Sequence, residues 1–172
     1  MARKRPAARR AKRKARKKVS FIPRGYHSVT PYLACKDAAG AIEFYRKAFG
    51  AAEVMRMPAP GGKIGHAEIR IGDSRVMLTD EYPEMDFLSP QTRGGTTVHI
   101  HVYVRGVDAM VERAVAAGAK LLRPVEDKFY GDRTGTLQDP FGHVWTISTH
   151  VEDIAPDEMQ RRSQEMVKQA AK

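Results

Sequence analysis

The chain has 172 residues, a net charge of +10 at pH 7 and a single cysteine, Cys35. That length accommodates one domain with a sizeable core, or two small ones fused. A lone cysteine excludes an intramolecular disulfide and fits a reducing, cytoplasmic setting. No apolar run reaches the ~20 residues of a membrane span, and no secretory apolar segment follows the basic start.

The charge is local. Residues 3–18 carry 11 Lys and Arg and no acid, leaving 19 basic against 20 acidic residues in the rest of the chain. Such a run buries no apolar surface and repels itself, so residues 1–25 are expected to form a disordered basic tail. Two readings are open for it. One is sequence-independent docking on nucleic acid or another anionic surface by counterion release, and the other is a solubilising extension.

From Ser28 the pattern becomes regular. SVTPYLACK (28–36) alternates like a strand, with Val29, Leu33 and Cys35 on the apolar side and Thr30, Tyr32 and Ala34 on the other. Asp37 is placed to cap a helix that turns Ala38, Ala41, Ile42, Tyr45, Ala48 and Phe49 inward and ends at Gly50. A strand then runs to a Pro60-Gly61-Gly62 turn. KIGHAEIRI (63–71) alternates again, with Ala67, Ile69 and Ile71 opposed to His66, Glu68 and Arg70. A Gly72-Asp73 turn leads to one more strand, and residues 82–95, rich in Pro and Gly, read as a linker or flap.

The order then repeats. Residues 96–104 set Val98, Ile100, Val102 and Val104 against His99, His101 and Tyr103. A helix with Val107, Met110, Ala114 and Ala117 inward and Gly118 as cap follows, then three strands. Gly50 matches Gly118, Ala67 matches Gly135, Ile69 matches Leu137 and Met77 matches Thr146, at offsets of 68 or 69. Thr30 is matched to His101 at 71, which requires a shorter strand-to-helix connection in the second copy. Residues 156–171 read as a helix starting at Pro156, with a thin apolar stripe of Met159, Met166 and Ala170. The expected fold class is α+β. Two tandem β-α-β-β-β modules (26–81 and 96–150) flank the linker 82–95, and residues 151–172 form a helical extension.

Taken in order, PYLACKDAAGAIEFYRKAFGAAE and FYGDRTGTLQDPFGHVWTISTH resemble the vicinal oxygen chelate superfamily over about residues 26–150. This is the glyoxalase/bleomycin-resistance/dioxygenase group, and the strings look like its bacterial glyoxalase-like branch. The resemblance implies an open curved sheet with helices on the convex face, a ligand pocket on the concave face, and a homodimer. The polar strand positions would line that pocket: Thr30, Tyr32, His66, Glu68, Arg70, Met77, His99, His101, Tyr103, Arg133, Thr134, Thr136, Gln138 and Thr146.

The resemblance also implies one divalent metal held by His and Glu, which polarises two neighbouring substrate oxygens. The implied ligand positions fall at Thr30, Met77, His101 and Thr146, of which only His101 is a good ligand. A displaced set of His66, Glu68, His99 and His101 could hold Zn, Ni, Mn or Fe, or the protein could use no metal. Without metal, Glu68 and His66 would do acid–base work, with Arg70 or Arg133 on an oxyanion. A plain cross-strand charge pair is the alternative. Two functions are therefore carried forward. One is a glyoxalase-like lyase or isomerase acting on a small oxygenated molecule, and the other is a non-catalytic protein that sequesters a small molecule. Cys35 and Trp145 read as core residues.

Overall fold

A computed structural model describes residues 19–170. The basic run at 3–18, with the nucleic-acid docking expected of it, lies outside the described residues.

The first module runs β1 (Tyr32–Cys35), α1 (Ala38–Phe49), β2 (Ala52–Pro58), β3 (Ile64–Ile71) and β4 (Ser74–Asp80). The linker holds a helical turn at Pro83–Met85 and the short α2 (Pro90–Arg93). The second module runs β5 (His99–Tyr103), α3 (Val107–Ala116), β6 (Lys120–Asp127), β7 (Asp132–Gln138) and β8 (Val144–His150), and α4 (Pro156–Ala170) follows. Each module forms its own four-stranded sheet, in the orders β1-β4-β3-β2 and β5-β8-β7-β6. The outer pair is parallel (β1 with β4, β5 with β8), and the rest are antiparallel.

The helices form where the sequence places them. The Asp37 side chain accepts the Gly40 N–H at 2.8 Å, and Gly50 closes α1 in the left-handed conformation at φ 65°. A second device caps each helix from the sheet. The Asp80 carboxylate accepts the N–H of Ala38, the first residue of α1, and the Thr149 hydroxyl accepts that of Val107, the first residue of α3. Asp80 and Thr149 are 69 residues apart, as are Ala38 and Val107. α3 ends one residue earlier than expected, on Ala117 in the right-handed conformation, with Gly118 following at φ 111°.

The apolar faces of both modules join one core. Trp145 of β8 is fully buried against Tyr45 and Phe49 of α1, at ring distances of 5.3 and 4.8 Å. The buried Asp139, in the β7–β8 turn, binds both sides of this contact. Its Oδ2 accepts the Tyr45 hydroxyl at 2.7 Å and the Trp145 indole N–H at 2.8 Å, and its Oδ1 accepts the N–H of Phe141 and of His143. The His143 ring reaches across to the Ala34 carbonyl of β1 at 3.1 Å. Burial lowers its pKa, so the neutral ring donates through Nε2. Cys35 is sealed in the core, where burial pushes its thiol pKa far up.

Two sequence expectations change here. Val29, expected on the core side, is 83% exposed. Pro31 intervenes, and a chain without an N–H at that position does not carry the strand phase backwards, so β1 begins only at Tyr32. The match of Thr30 to His101 also fails. Tyr32 pairs with Met77 and His101 with Thr146, so Tyr32 and His101 are equivalent at the common offset of 69. The two strand-to-helix connections put their helices in the same phase, and no shortening is needed.

Candidate functional site

Strand alternation leaves one polar, helix-free face on each sheet. On the first sheet, a row crosses from Tyr32 to Met77 to Glu68. On the second, the matching row is His101, Thr146 and Thr136.

The first face is organised around Glu68, which is buried although it points away from the core. Arg75 donates to its Oε2 at 2.9 Å, and His66 Nε2 lies 3.5 Å from Oε1. The other His66 nitrogen is 3.0 Å from the Tyr32 hydroxyl, and that ring also meets Phe87. Tyr26, upstream of β1, sets its ring over the Arg75 guanidinium at 5.1 Å and its hydroxyl toward Glu68. Burial alone would raise the Glu68 pKa. The Tyr26 and His66 hydrogen bonds and the Arg75 charge outweigh it and hold the group below the usual carboxylate range, so Glu68 is ionised near neutrality.

The second face carries a different cluster. The buried Asp132 accepts the Tyr103 hydroxyl at 2.7 Å and pairs with His150 Nδ1 at 2.8 Å. His150 Nε2 pairs in turn with Asp153 at 3.0 Å. The His101 ring lies 4.8 Å from that of Tyr103. Thr134 and Ser148 hydrogen-bond each other beneath.

Between the two sheets lies an open cleft of about 1050 Å³. Its walls include Tyr32, Leu33 and Ala34 from β1 and His99, Ile100 and His101 from β5, with Phe87 and Arg93 from the linker. Among the described residues, no Asp or Glu lines it.

The predicted residues are therefore split. Tyr32, His66, Glu68 and Met77 share the first face. Tyr103, Thr136 and Thr146 belong to the second, and His99 and His101 stand at the cleft. Thr30 lies ahead of β1 in a smaller cavity with Tyr26 and Met77. Arg70 bends to the Gly72 carbonyl at 2.8 Å, and Arg75 is the guanidinium on Glu68. Gln138 points toward the β7–β8 turn, 3.4 Å from the Gly142 carbonyl. Arg133, expected to line the pocket, lies on the opposite, helix side. It shares that side with the core residue Leu137 and is held by Asp108 of α3 at 2.7 Å and by Asp127 at 3.1 Å. Alternation with Thr134 and Thr136 forces this.

Sequence reasoning missed Arg75, Tyr26 and the Asp132–His150 pair. The first was within reach, because the two-residue Gly72-Asp73 hairpin fixes the register and puts Arg75 diagonal to Glu68. Tyr26 lies in a stretch with no period, so nothing in the pattern pointed to it.

Residues 25–147 match the family model of the Glyoxalase/Bleomycin resistance protein/Dioxygenase superfamily. The chain belongs to this superfamily. An uncharacterized protein of Mycobacterium bovis, Mb0911c, is 45% identical over 136 residues, covering 77% of this chain and 90% of its own. Rv0887c of Mycobacterium tuberculosis, also uncharacterized, is 45% identical over 77% of this chain and 80% of its own. Among solved structures, TioX from Micromonospora sp. ML1 superposes with a TM-score of 0.57 at 28% identity, over 75% of this chain and all of TioX. PA1353 from Pseudomonas aeruginosa gives a TM-score of 0.58 at 22% identity over 72% and 98%, a likeness of fold alone.

The metal implied by the family does not fit the residues this member has. Paired by register, the four positions hold Tyr32, Met77, His101 and Thr146: a phenol, a thioether, one imidazole and a hydroxyl. A divalent ion held by His and carboxylate needs a harder, more basic set. The displaced set does not converge either. His66 and Glu68 are neighbours, but among the described residues no three His, Cys, Asp or Glu side chains gather in a way that could hold a metal. No helix among the described residues is long and apolar enough to cross a membrane.

Proposed function

We propose that this superfamily member binds a small oxygenated molecule in the cleft between its two sheets and sequesters it. One observation carries the reading. The equivalent positions Tyr32 and His101 both border the cleft, and each pairs with a residue unsuited to metal, Met77 or Thr146. A phenol, two exposed imidazoles and the backbone of two strand edges supply hydrogen bonds to ligand oxygens, while Phe87 and Ile100 supply apolar contact. Calorimetric titration with the hemithioacetal of methylglyoxal and glutathione tests it, alongside an assay of its turnover with added Zn, Ni, Mn or Fe. Saturable binding without turnover is expected, weakened about tenfold by His101→Ala, the loss of roughly 1.4 kcal/mol of contact. Metal-dependent turnover abolished by His101→Ala would instead establish the lyase reading.

Two assembly features belong to the same proposal. The chain pairs with a second copy as a homodimer, and residues 3–18 dock on nucleic acid or a similar polyanion. Their 11 positive charges without an acid support the second feature. A chain beginning at Val19 should lose affinity for duplex DNA at low salt, and equal affinity would refute the docking.

A further inference from the structure

The first polar face is occupied by the chain itself. Residues 20–28 run across it, and the segment turns at Gly25, with φ 83°, where the Tyr26 N–H donates to the Pro23 carbonyl at 3.2 Å. Its anchors are few: Phe21 is 95% exposed, Ile22 and Tyr26 are half-buried, and His27 reaches Asp73 at 3.8 Å across exposed surface. The Tyr26 ring lies over the Arg75 guanidinium at 5.1 Å, and its hydroxyl points toward the Glu68 carboxylate. A cavity of about 400 Å³ remains beside it, walled by Ile22, Thr30 and Met77. Arg75 Nε, buried next to this ring, is the one buried side-chain N or O atom among the described residues without a hydrogen-bond partner.

An aromatic ring stacked on a cation, with a carboxylate close to its hydroxyl, is how a protein holds a phenol. We propose that this face is a second binding site, for hydroxyaryl compounds, and that Tyr26 is a built-in stand-in for the ligand that must swing out before one binds. The unpaired Arg75 Nε shows that the stand-in fits incompletely, because a buried donor without an acceptor costs free energy that a better occupant recovers. A ring with a second oxygen substituent can satisfy that donor, and tyrosine has none. Tethered beside the site, Tyr26 competes at an effective concentration on the order of millimolar, so a free phenol meets a weakened apparent affinity.

The test uses the full chain and p-cresol, with toluene as the ring that lacks a hydroxyl. Binding is followed by NMR at the Met77 methyl and the Arg75 Nε–H. In Tyr26→Ala, p-cresol should saturate both signals at about one-tenth of the concentration the unsubstituted chain requires. Tyr26→Phe, which keeps the ring but not the hydroxyl, should fall between the two. Glu68→Gln in the Tyr26→Ala background should weaken p-cresol, and toluene should bind poorly throughout. Equal p-cresol affinity with and without Tyr26, toluene binding as well as p-cresol, or no binding to any variant would each overturn the assignment. The cleft is probed separately, because hemithioacetal binding there should respond to His101→Ala and not to Tyr26→Ala. Failure of one site is thus distinct from failure of the other.

Discussion

His150 stands between two carboxylates at the end of β8. Its hydrogen bond to Asp132, and after it the one to Asp153, raises its pKa above the usual histidine value of about 6.5. Burial would raise the Asp132 pKa as well. The His150 and Tyr103 hydrogen bonds outweigh it, and Asp132 titrates below its usual range. The signs then follow. The His150 contribution is complete below its unfolded value and is lost as pH rises through the raised folded value. The Asp132 contribution is present above its unfolded value and is lost as pH falls through the depressed one. The pair is therefore intact in the mildly acidic range between those limits and weakens toward alkaline pH as the ring loses its proton. NMR titration of the His150 ring should give an apparent pKa above about 6.5, falling back toward it in Asp132→Asn. An unchanged midpoint in that variant would mean that Asp132 does not hold the proton.

At the scale of strands, the two sheets have four edges, and three are protected against further pairing. β2 carries Pro58 and register shifts at Glu53/Met55 and Met57/Pro58. β6 carries Pro124, two register shifts and the charges of Lys120, Arg123, Glu126 and Asp127. β1 begins after Pro31, and its Ala34 carbonyl is taken by His143. β5, His-Ile-His-Val-Tyr, has none of these devices, although it too is an edge. Val104 N–H donates to the Ser148 carbonyl, so even-numbered backbone groups face β8 and those of His99, His101 and Tyr103 face outward. A second chain can pair there, in competition with a ligand in the cleft that the same strand borders. Light scattering should find a homodimer, and His99→Pro should give a monomer with its thermal stability largely kept, since proline at the first strand residue removes only an outward N–H. A dimer that survives His99→Pro would place the interface elsewhere.

Much of this element scale was legible beforehand. The duplication at an offset of 68 or 69, the α1 caps and the alternating faces of β3 follow from local rules that need only neighbours in sequence. The Thr30 match and the placement of Val29 failed because alternation was carried across Pro31, where the backbone cannot pair as a strand interior does. Arg133 failed because two adjacent strand residues, it and Thr134, were assigned to one face. The Asp132–His150 pair follows from counting back along the β7–β8 hairpin, whereas the Tyr26–Glu68 contact joins a patternless segment to a strand and has no local signature.

For the whole molecule the question is whether two duplicated modules behave as one body or two. The core argues for one. Tyr45 belongs to the first module and Trp145 to the second, and a single buried carboxylate, Asp139, receives a hydrogen bond from each. Asp139 cannot be exchanged for its amide without penalty. Its four acceptor directions are all used by donors, so an asparagine NH₂ would face either the Tyr45 hydroxyl and the Trp145 indole or two backbone N–H groups. Hydrogen bonds to a buried charge contribute about 1.5–3 kcal/mol each, and leaving donors unpaired adds to the loss, so Asp139→Asn should cost roughly 2–4 kcal/mol. Tyr45→Phe should cost less, about 1–2 kcal/mol, because it deletes a donor and leaves the other three in place. The two substitutions should also be strongly non-additive, since both act on one oxygen. If the modules share this core energetically, denaturant unfolding followed by Trp145 fluorescence, a probe in the second module, should coincide with unfolding followed by far-UV circular dichroism, which sees both. Asp139→Asn should move the two curves together to lower denaturant. If the circular dichroism curve instead splits, with one phase unmoved by the substitution, the first module folds independently and the shared core is a contact between two bodies rather than the centre of one.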